Sequence, residues 1–353
     1  MLFSKAPRVI GLDIGSSSVK VVELKETPKG YSLEKFGMAP LPPEVIVDGT
    51  IMDAGRVVEA IAQVLQSQKV KAKDVVFSVS GHSVIIKRVT LPEMSEEELS
   101  ESIHWEAEQY IPFAIDEVNL DFQILGSSGS GKQAQMDVLL VAVKREKIND
   151  YITVVTEAGL TPAIVDVDAF AIQNMYEINY EVESRKVIAL VNIGASVTNI
   201  NILKDGTTAF TRDSTIGGNQ YTEAIQKEFG LSYDDAEKVK QGEGGAAVSM
   251  DEIDGIAQAV SGDVATEISR SFDFFKATST SQQIDRVILS GGCSRMRGLP
   301  SLLGDRLGVP VEIASPFKNI HIDTGQFDLD VLKKVAPMAA VGVGLALRRI
   351  GDR

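Results

Sequence analysis

Two apolar, β-branched runs open the chain, over residues 9–14 and 19–24, with Gly15-Ser16-Ser17-Ser18 between them. Runs of this kind around a short polar turn predict a hairpin. A third strand is predicted over 31–38. Residues 53–68 then switch period: Val57, Ile61, Val64 and Leu65 recur at helical spacing. A β-rich run over 74–80 follows, so the opening reads βββαβ.

A second pattern begins near residue 84. A strand over 84–91 leads to Ser95, with Glu98 three residues on, a capping-box signature for a helix start. Leu99, Ile103, Ala107 and Tyr110 line one face of that helix, and Pro112 ends it. Strands are predicted over 118–125 and 136–144 around a Gly/Ser loop (126–132), then a helix over 145–158 and a strand over 162–167. These elements make a βαββαβ unit, predicted to be a module inserted into the first lobe. Residues 187–192 and 197–203 then repeat the opening arrangement of strand, Gly-containing turn and strand. Helices dominate 218–277, a short buried strand is predicted over 286–290, and helices over 299–307 and 337–349 close the chain. Two related halves, each beginning with a hairpin of phosphate size, predict a nucleotide clamped between lobes.

Bulk properties narrow the function. The 353 residues exceed one small core, and 44% hydrophobic with 24% charged is ordinary globular composition. A net charge of −14 argues against nucleic acid as partner, because phosphate neutralisation needs clustered Lys and Arg. Cys293 is the only cysteine, so no intrachain disulfide forms and a reducing cytoplasm fits. The first eight residues lack the apolar stretch and cleavage site of a signal peptide. The most apolar later segment, 335–347, is broken by Pro337, Gly342 and Gly344 and falls short of the roughly 20 residues a bilayer requires. It reads as a buried helix, and membrane association is expected only through a partner, without direct insertion.

Four segments carry candidate chemistry. In Asp13-Ile14-Gly15-Ser16-Ser17-Ser18-Val19-Lys20 the turn exposes successive backbone N–H groups, a concavity suited to phosphate oxygens. Asp13 could hold Mg²⁺ through water and Lys20 offset phosphate charge; an ordinary polar hairpin reads the same way. Asn192-Ile193-Gly194-Ala195-Ser196 occupies the matching place in the second half, and its pairing with the first hairpin is what gives it weight. Gly291 and Gly292, in Ser290-Gly291-Gly292-Cys293-Ser294-Arg295, follow an apolar strand and let a flat base approach the backbone; a plain strand-to-helix turn is the alternative. Glu237 and Lys240 lie three apart on one helix face, where a solvated ion pair is the ordinary reading.

Together and in this order these segments resemble the actin-like (ribonuclease H-like) ATPase superfamily of actin, DnaK-type chaperones, sugar kinases and FtsA. The resemblance runs over nearly the whole chain and implies an α/β, two-lobed fold binding ATP or ADP with Mg²⁺. It places Asp13, Gly15, Ser16, Ser17, Ser18 and Lys20 on the first phosphate motif and Asn192, Gly194, Ala195 and Ser196 on the second. Gly217-Gly218 resembles the glycine pair after the next strand. Glu237 and Lys240 resemble a ribose-contacting pair, and Gly291, Gly292 and Arg295 an adenosine motif with Arg295 set to stack on the base. Asp168 sits where the chaperone branch places an acid that orients the attacking water. The inserted unit is similar to the 1C subdomain of FtsA, which implies lobes over 1–83, 168–186 and 335–353 (first), 84–167 (insert) and 187–334 (second). The opening motif and Ile103-His104-Trp105-Glu106-Ala107-Glu108-Gln109-Tyr110-Ile111-Pro112-Phe113 resemble the PilM family of type IV pilus assembly proteins.

That resemblance implies a cytoplasmic nucleotide-binding scaffold. It would bind the cytoplasmic N-terminal segment of PilN, and with it other pilus assembly proteins, at the inner membrane. Asn192 departs from the Asp usual in the second motif, and slow or negligible hydrolysis is expected. A polymerising FtsA-like protein and a true kinase or ATPase stay open as alternatives. The first is disfavoured by the missing C-terminal amphipathic tail, the second by the want of a placed base beyond Asp168. His82, His104 and His321 are scattered and expected to be structural. Cys293 has no adjacent base. Trp105, off the Leu99/Ile103/Ala107 stripe, is expected to pack at the subdomain seam. The acids Glu96, Glu97 and Glu98 suit a helix N-terminus.

Overall fold

The computed structural model describes residues 8–128, 134–243, 249–279 and 283–352, so the first seven residues and most of the tip of the predicted Gly/Ser loop lie outside it. The chain runs through β1 (Ile10–Ile14), β2 (Ser18–Thr27), β3 (Gly30–Pro40), β4 (Ile46–Val47), β5 (Thr50–Ile51), α1 (Ala54–Ser67) and β6 (Asp74–Val79). Next come β7 (Val84–Pro92), α2 (Glu96–Glu108), β8 (Val118–Ser128), β9 (Gln135–Lys144), α3 (Arg145–Glu157), β10 (Thr161–Val167) and α4 (Asp168–Asn179). The second half holds β11 (Val187–Ile193), β12 (Thr198–Lys204), β13 (Thr207–Ser214), α5 (Gly218–Phe229), α6 (Tyr233–Lys240) and α7 (Met250–Thr278). The chain closes with β14 (Arg286–Ser290), α8 (Leu299–Leu307), β15 (Val311–Ile313), β16 (Ile320–His321), α9 (Leu329–Val335) and α10 (Ala340–Ala346).

Two mixed sheets organise these elements, one of order β10-β6-β1-β2-β3-β16 and one of order β13-β12-β11-β14-β15. In each, an antiparallel hairpin (β1–β2, β11–β12) is flanked by a parallel neighbour, β6 or β14. Side chains alternate across β11: Ile188 and Leu190 join a core with Tyr176 of α4, whereas Ala189 and Val191 pack with Val264, Ile268 and Phe272 of α7. α4 and α10 form the layer between the sheets. They approach so closely that a Cβ on Gly344 would lie 1.6 Å from the Ala171 carbonyl oxygen, and one on Gly11 of β1 2.3 Å from that of Gly342. Here glycine is required by close approach rather than by a turn.

The insert is smaller than the pattern predicts. Its own sheet has the order β7-β9-β8, with α2 covering one face through Leu99, Ile103 and Ala107. The capping box is present, Glu98 N–H donating to Ser95 Oγ (3.2 Å) and Ser95 N–H to Glu98 Oε2 (2.9 Å). The predicted βαββαβ boundary at 167 is corrected: β10 pairs in parallel with β6, and α3 buries Ile148, Tyr151 and Val155 against Phe77 and the first sheet. Both elements therefore belong to the first lobe. The expected end of the second lobe at 334 shifts likewise, since β16 pairs with β3 and Phe317 and Ile320 join the first-lobe core. Trp105 is also corrected: it is 77% exposed on the outer face of α2, where its helical phase puts it.

Candidate functional site

The two predicted hairpins have the same internal geometry. Gly15 N–H donates to the Ser18 carbonyl (3.1 Å), and Gly194 N–H to that of Val197 (2.9 Å). Their tips meet, with the Ser16 and Ser196 hydroxyls 2.5 Å apart. Among the described residues the backbone N–H groups of Ser16, Ser17, Ala195 and Ser196 have no protein acceptor. The Ser18 hydroxyl is buried and has no partner among the described residues either. Donors left free on two facing turns fit an anion with several oxygens.

In the first hairpin, register pairs Asp13 with Lys20, and their side chains form an ion pair at 3.0 Å. In the second, Asn192 and Asn199 hold the same register and bond amide to amide at 3.0 Å. An ion pair has thus been replaced by two neutral groups. Asn192 is bonded at both ends of its amide: it donates to Asn199 Oδ1 and accepts from the Ser290 hydroxyl at 3.2 Å.

Behind the second hairpin, α5 begins against its backbone. Gly218 N–H donates to the Gly194 carbonyl (2.9 Å) and Asn219 N–H to that of Ala195 (2.8 Å). A Cβ on Gly217 would sit 2.7 Å from both carbonyl oxygens, so any other residue would push hairpin and helix apart. Two other segments converge on Gly218. Its carbonyl accepts from Lys240 Nζ (3.3 Å), and a Cβ there would meet Cys293 Sγ at 2.8 Å. Glu237 and Lys240 are a half-buried pair at 2.5 Å, not a solvated one, and Thr222 bonds both. Burial pushes the Glu237 carboxyl up, but Lys240, Gln241 and Thr222 more than offset this and hold it below its usual value. Burial also pushes the Cys293 thiol up to about 11, so it is a packing residue.

Gly291 takes φ +88°, and a Cβ there would strike the Ile193 carbonyl oxygen at 2.3 Å. Its N–H donates to the Pro337 carbonyl (2.9 Å), joining this turn to the segment that enters α10. Gly292 beside it is exposed. Arg295 is exposed as well, its guanidinium donating to the Lys334 carbonyl.

A family model for the type IV pilus assembly protein PilM matches residues 11–350. The chain belongs to the PilM family. It is 30% identical to the solved structure of a PilM-PilN type IV pilus biogenesis complex, covering 99% of this chain and 100% of that one at a TM-score of 0.87. It is 25% identical over 268 residues to the cell division protein FtsA of Escherichia coli K12, a match spanning 69% of this chain and 63% of FtsA, under two thirds of that protein. MreB5 of Spiroplasma citri bound to ADP shares the fold (TM-score 0.51, 13% identity, 93% of this chain and 98% of that one). The fold is thus actin-like, as the ordered segments imply.

Asp168 opens α4 on the first-lobe side of the cleft, where Ser78 donates to it at 2.6 Å. Burial, and then the negative charge of Asp13, push its carboxyl up to about 6. Three nearby groups were not foreseen. Ser78 on β6 holds Asp168. Lys147 of α3 is buried, donates to the Gly49 carbonyl beside the Tyr151 hydroxyl (3.0 Å), and has its pKa lowered by burial against the pull of Asp168 and Asp213. Asp213 of β13 accepts from Asn199 Nδ2 (2.9 Å) and from the first-lobe Gly81 N–H (2.6 Å). No spacing in the sequence singles out any of them. No group of three or more His, Cys, Asp or Glu suited to a metal occurs among the described residues, and none of their helices is long and apolar enough to cross a membrane.

Proposed function

We propose that this chain is an ATP-binding scaffold of the type IV pilus inner-membrane assembly platform. In this reading it binds the cytoplasmic N-terminal segment of PilN, and through it other pilus proteins, and sits in the cytoplasm at the inner membrane. The observation that carries the reading is the whole-chain likeness to a PilM of a PilM-PilN complex, joined to the two facing hairpins with free amides. ATP or ADP would be held by the free amides of the Ser16 and Ser196 turns once their touching hydroxyls part, with Lys20 offsetting phosphate charge and Asp13 meeting Mg²⁺ through water. The Gly217-Gly218, Glu237/Lys240 and Gly291-Gly292 segments would line the sugar and base. Bound Mg²⁺-nucleotide would supply charge that draws the lobes together.

Hydrolysis is expected to be slow or absent. Asn192 brings no charge and its amide is bonded at both ends, which leaves Asp168 as the carboxylate available to orient water. Losing one well-placed catalytic group costs about 10²–10⁴ in rate. The test is the nucleotide content of purified protein, followed by phosphate release over hours with Mg²⁺-ATP and titration with the PilN N-terminal peptide. Retained ATP, negligible release and saturable peptide binding are expected. Rapid release abolished by Asp13→Ala would move a true ATPase to the front. ATP-dependent filaments would favour the polymerising reading that the FtsA match keeps in view.

A further inference from the structure

A chain of buried and half-buried polar groups crosses the second sheet and ends in the first lobe. The Ser290 hydroxyl donates to Asn192 Oδ1 (3.2 Å) and Asn192 Nδ2 to Asn199 Oδ1 (3.0 Å). Asn199 Nδ2 then donates to Asp213 Oδ1 (2.9 Å), and Asp213 Oδ2 accepts the Gly81 N–H (2.6 Å). Ser290, Asn192 and Asn199 are buried, so each group needs its partner. Gly81 takes φ +90° in the turn between β6 and β7, where the chain leaves the first sheet for the insert.

The direction of this chain is not free. A backbone N–H only donates and a carboxylate only accepts, so Asp213, which accepts from Gly81 on one oxygen, can offer Asn199 only an acceptor on the other. Asn199 therefore turns its NH₂ to Asp213 and its oxygen to position 192. Position 192 must then present a donor, which asparagine has and aspartate lacks.

We propose that Asp213 is a positioning residue of the cleft, fastening the second lobe to the Gly81 turn and, through Asn199, requiring an amide at position 192. Asn192 is then no weakened carboxylate but the isostere the relay accepts without taking up a proton. With Asn192→Asp, either Asn199 sets its oxygen against the new carboxylate, or it flips and sets it against Asp213. With Asp213→Asn added, the relay reverses. The amide introduced at position 213 accepts from Gly81 and donates to Asn199. Asn199 in turn donates to the carboxylate introduced at position 192, which also accepts from Ser290. Net charge is unchanged by the pair. Asp213→Asn alone is also satisfiable, because the Ser290 hydroxyl can accept as well as donate.

The experiment is a double-mutant cycle on the full chain, read by chemical denaturation. Asn192→Asp is expected to lower the folded-to-unfolded ratio about ten-fold or more, as leaving a buried acceptor unpaired does. The double variant should recover most of that loss, and Asp213→Asn alone should change the ratio by less than about three-fold. If Asn192→Asp does not fold, a folded double variant is the same rescue. Equal damage by Asn192→Asp in both backgrounds, or failure of both to fold, overturns the proposal. A second arm, resting on the nucleotide reading above, titrates a fluorescent ATP analogue into Asp213→Ala. Loss of the Gly81 bond should weaken binding about ten-fold; unchanged affinity refutes the fastening role. A parent protein that binds no analogue would sink the nucleotide reading, while the stability cycle still decides the relay.

Discussion

Replacing Asp168 with asparagine removes a charge that the folded protein holds at a cost, so the variant should be more stable than the parent, and only at higher pH. The carboxyl is raised from 3.8 to about 6, first by burial and then by Asp13. The native state therefore binds this proton more tightly than the unfolded chain does. Below about pH 4 both states are protonated and Asp168 costs nothing. Between about 4 and 6 the unfolded chain releases its proton first, so parent stability falls as pH rises. Above about 6 the full difference applies, close to 3 kcal/mol at about 1.4 kcal/mol per pH unit. Asparagine keeps the oxygen that accepts from Ser78, and the Ser80 hydroxyl, which helps hold the carboxyl down, can turn to accept from the new NH₂. Imperfect replacement lowers the net gain to about 1–3 kcal/mol. In a chain this long that is a rise of about 1–4 °C in melting temperature. Thermal melts of nucleotide-free parent and variant from about pH 4 to 8 should show curves that meet at the acid end and separate through about pH 6. A pH-independent offset, or a variant destabilised throughout, would refute the argument that charge burial dominates at this position.

Gly344→Ala should cost at least about 2–4 kcal/mol or yield insoluble protein, since its Cβ would lie 1.6 Å from the Ala171 carbonyl oxygen; a variant melting at or above the parent, as helix propensity alone predicts, would contradict the α4–α10 packing. The sole tryptophan, 77% exposed at position 105, should fluoresce like solvated indole and be quenched readily by acrylamide; a blue-shifted, protected spectrum would contradict its placement. Cys293, buried and with its thiol pushed up to about 11, should react with thiol reagents slowly in native protein at about pH 8 and fully in denaturant; immediate native labelling would show that the Gly218 packing is open.

The legible part of this molecule is the part whose signature is local. Each hairpin is written in a β-branched run, a Gly/Ser turn and a second run, and in both the paired side chains stand seven residues apart: Asp13 with Lys20, Asn192 with Asn199. The repeat could be seen because a two-strand hairpin carries its own register. β10 could not be assigned in the same way. Its residues read as a strand, but the choice between the insert and the first sheet depends on parallel pairing with β6, which lies on the far side of the insert in the chain, and parallel pairing has no turn to announce it. Trp105 shows the reverse error, in which the phase along α2 put it outside and a preference for burying a lone tryptophan overrode the phase. Asp213 was missed for a deeper reason. β13 is an edge strand whose TTAFTRDS alternates weakly and is mostly half-buried, so neither period nor composition marks it. Its role comes from what it meets across the cleft at Gly81, and from a donor–acceptor order that runs back through both asparagines to Ser290. A sequence displays which groups can donate and accept; only the fold strings them into a line whose direction then decides which residue position 192 can hold.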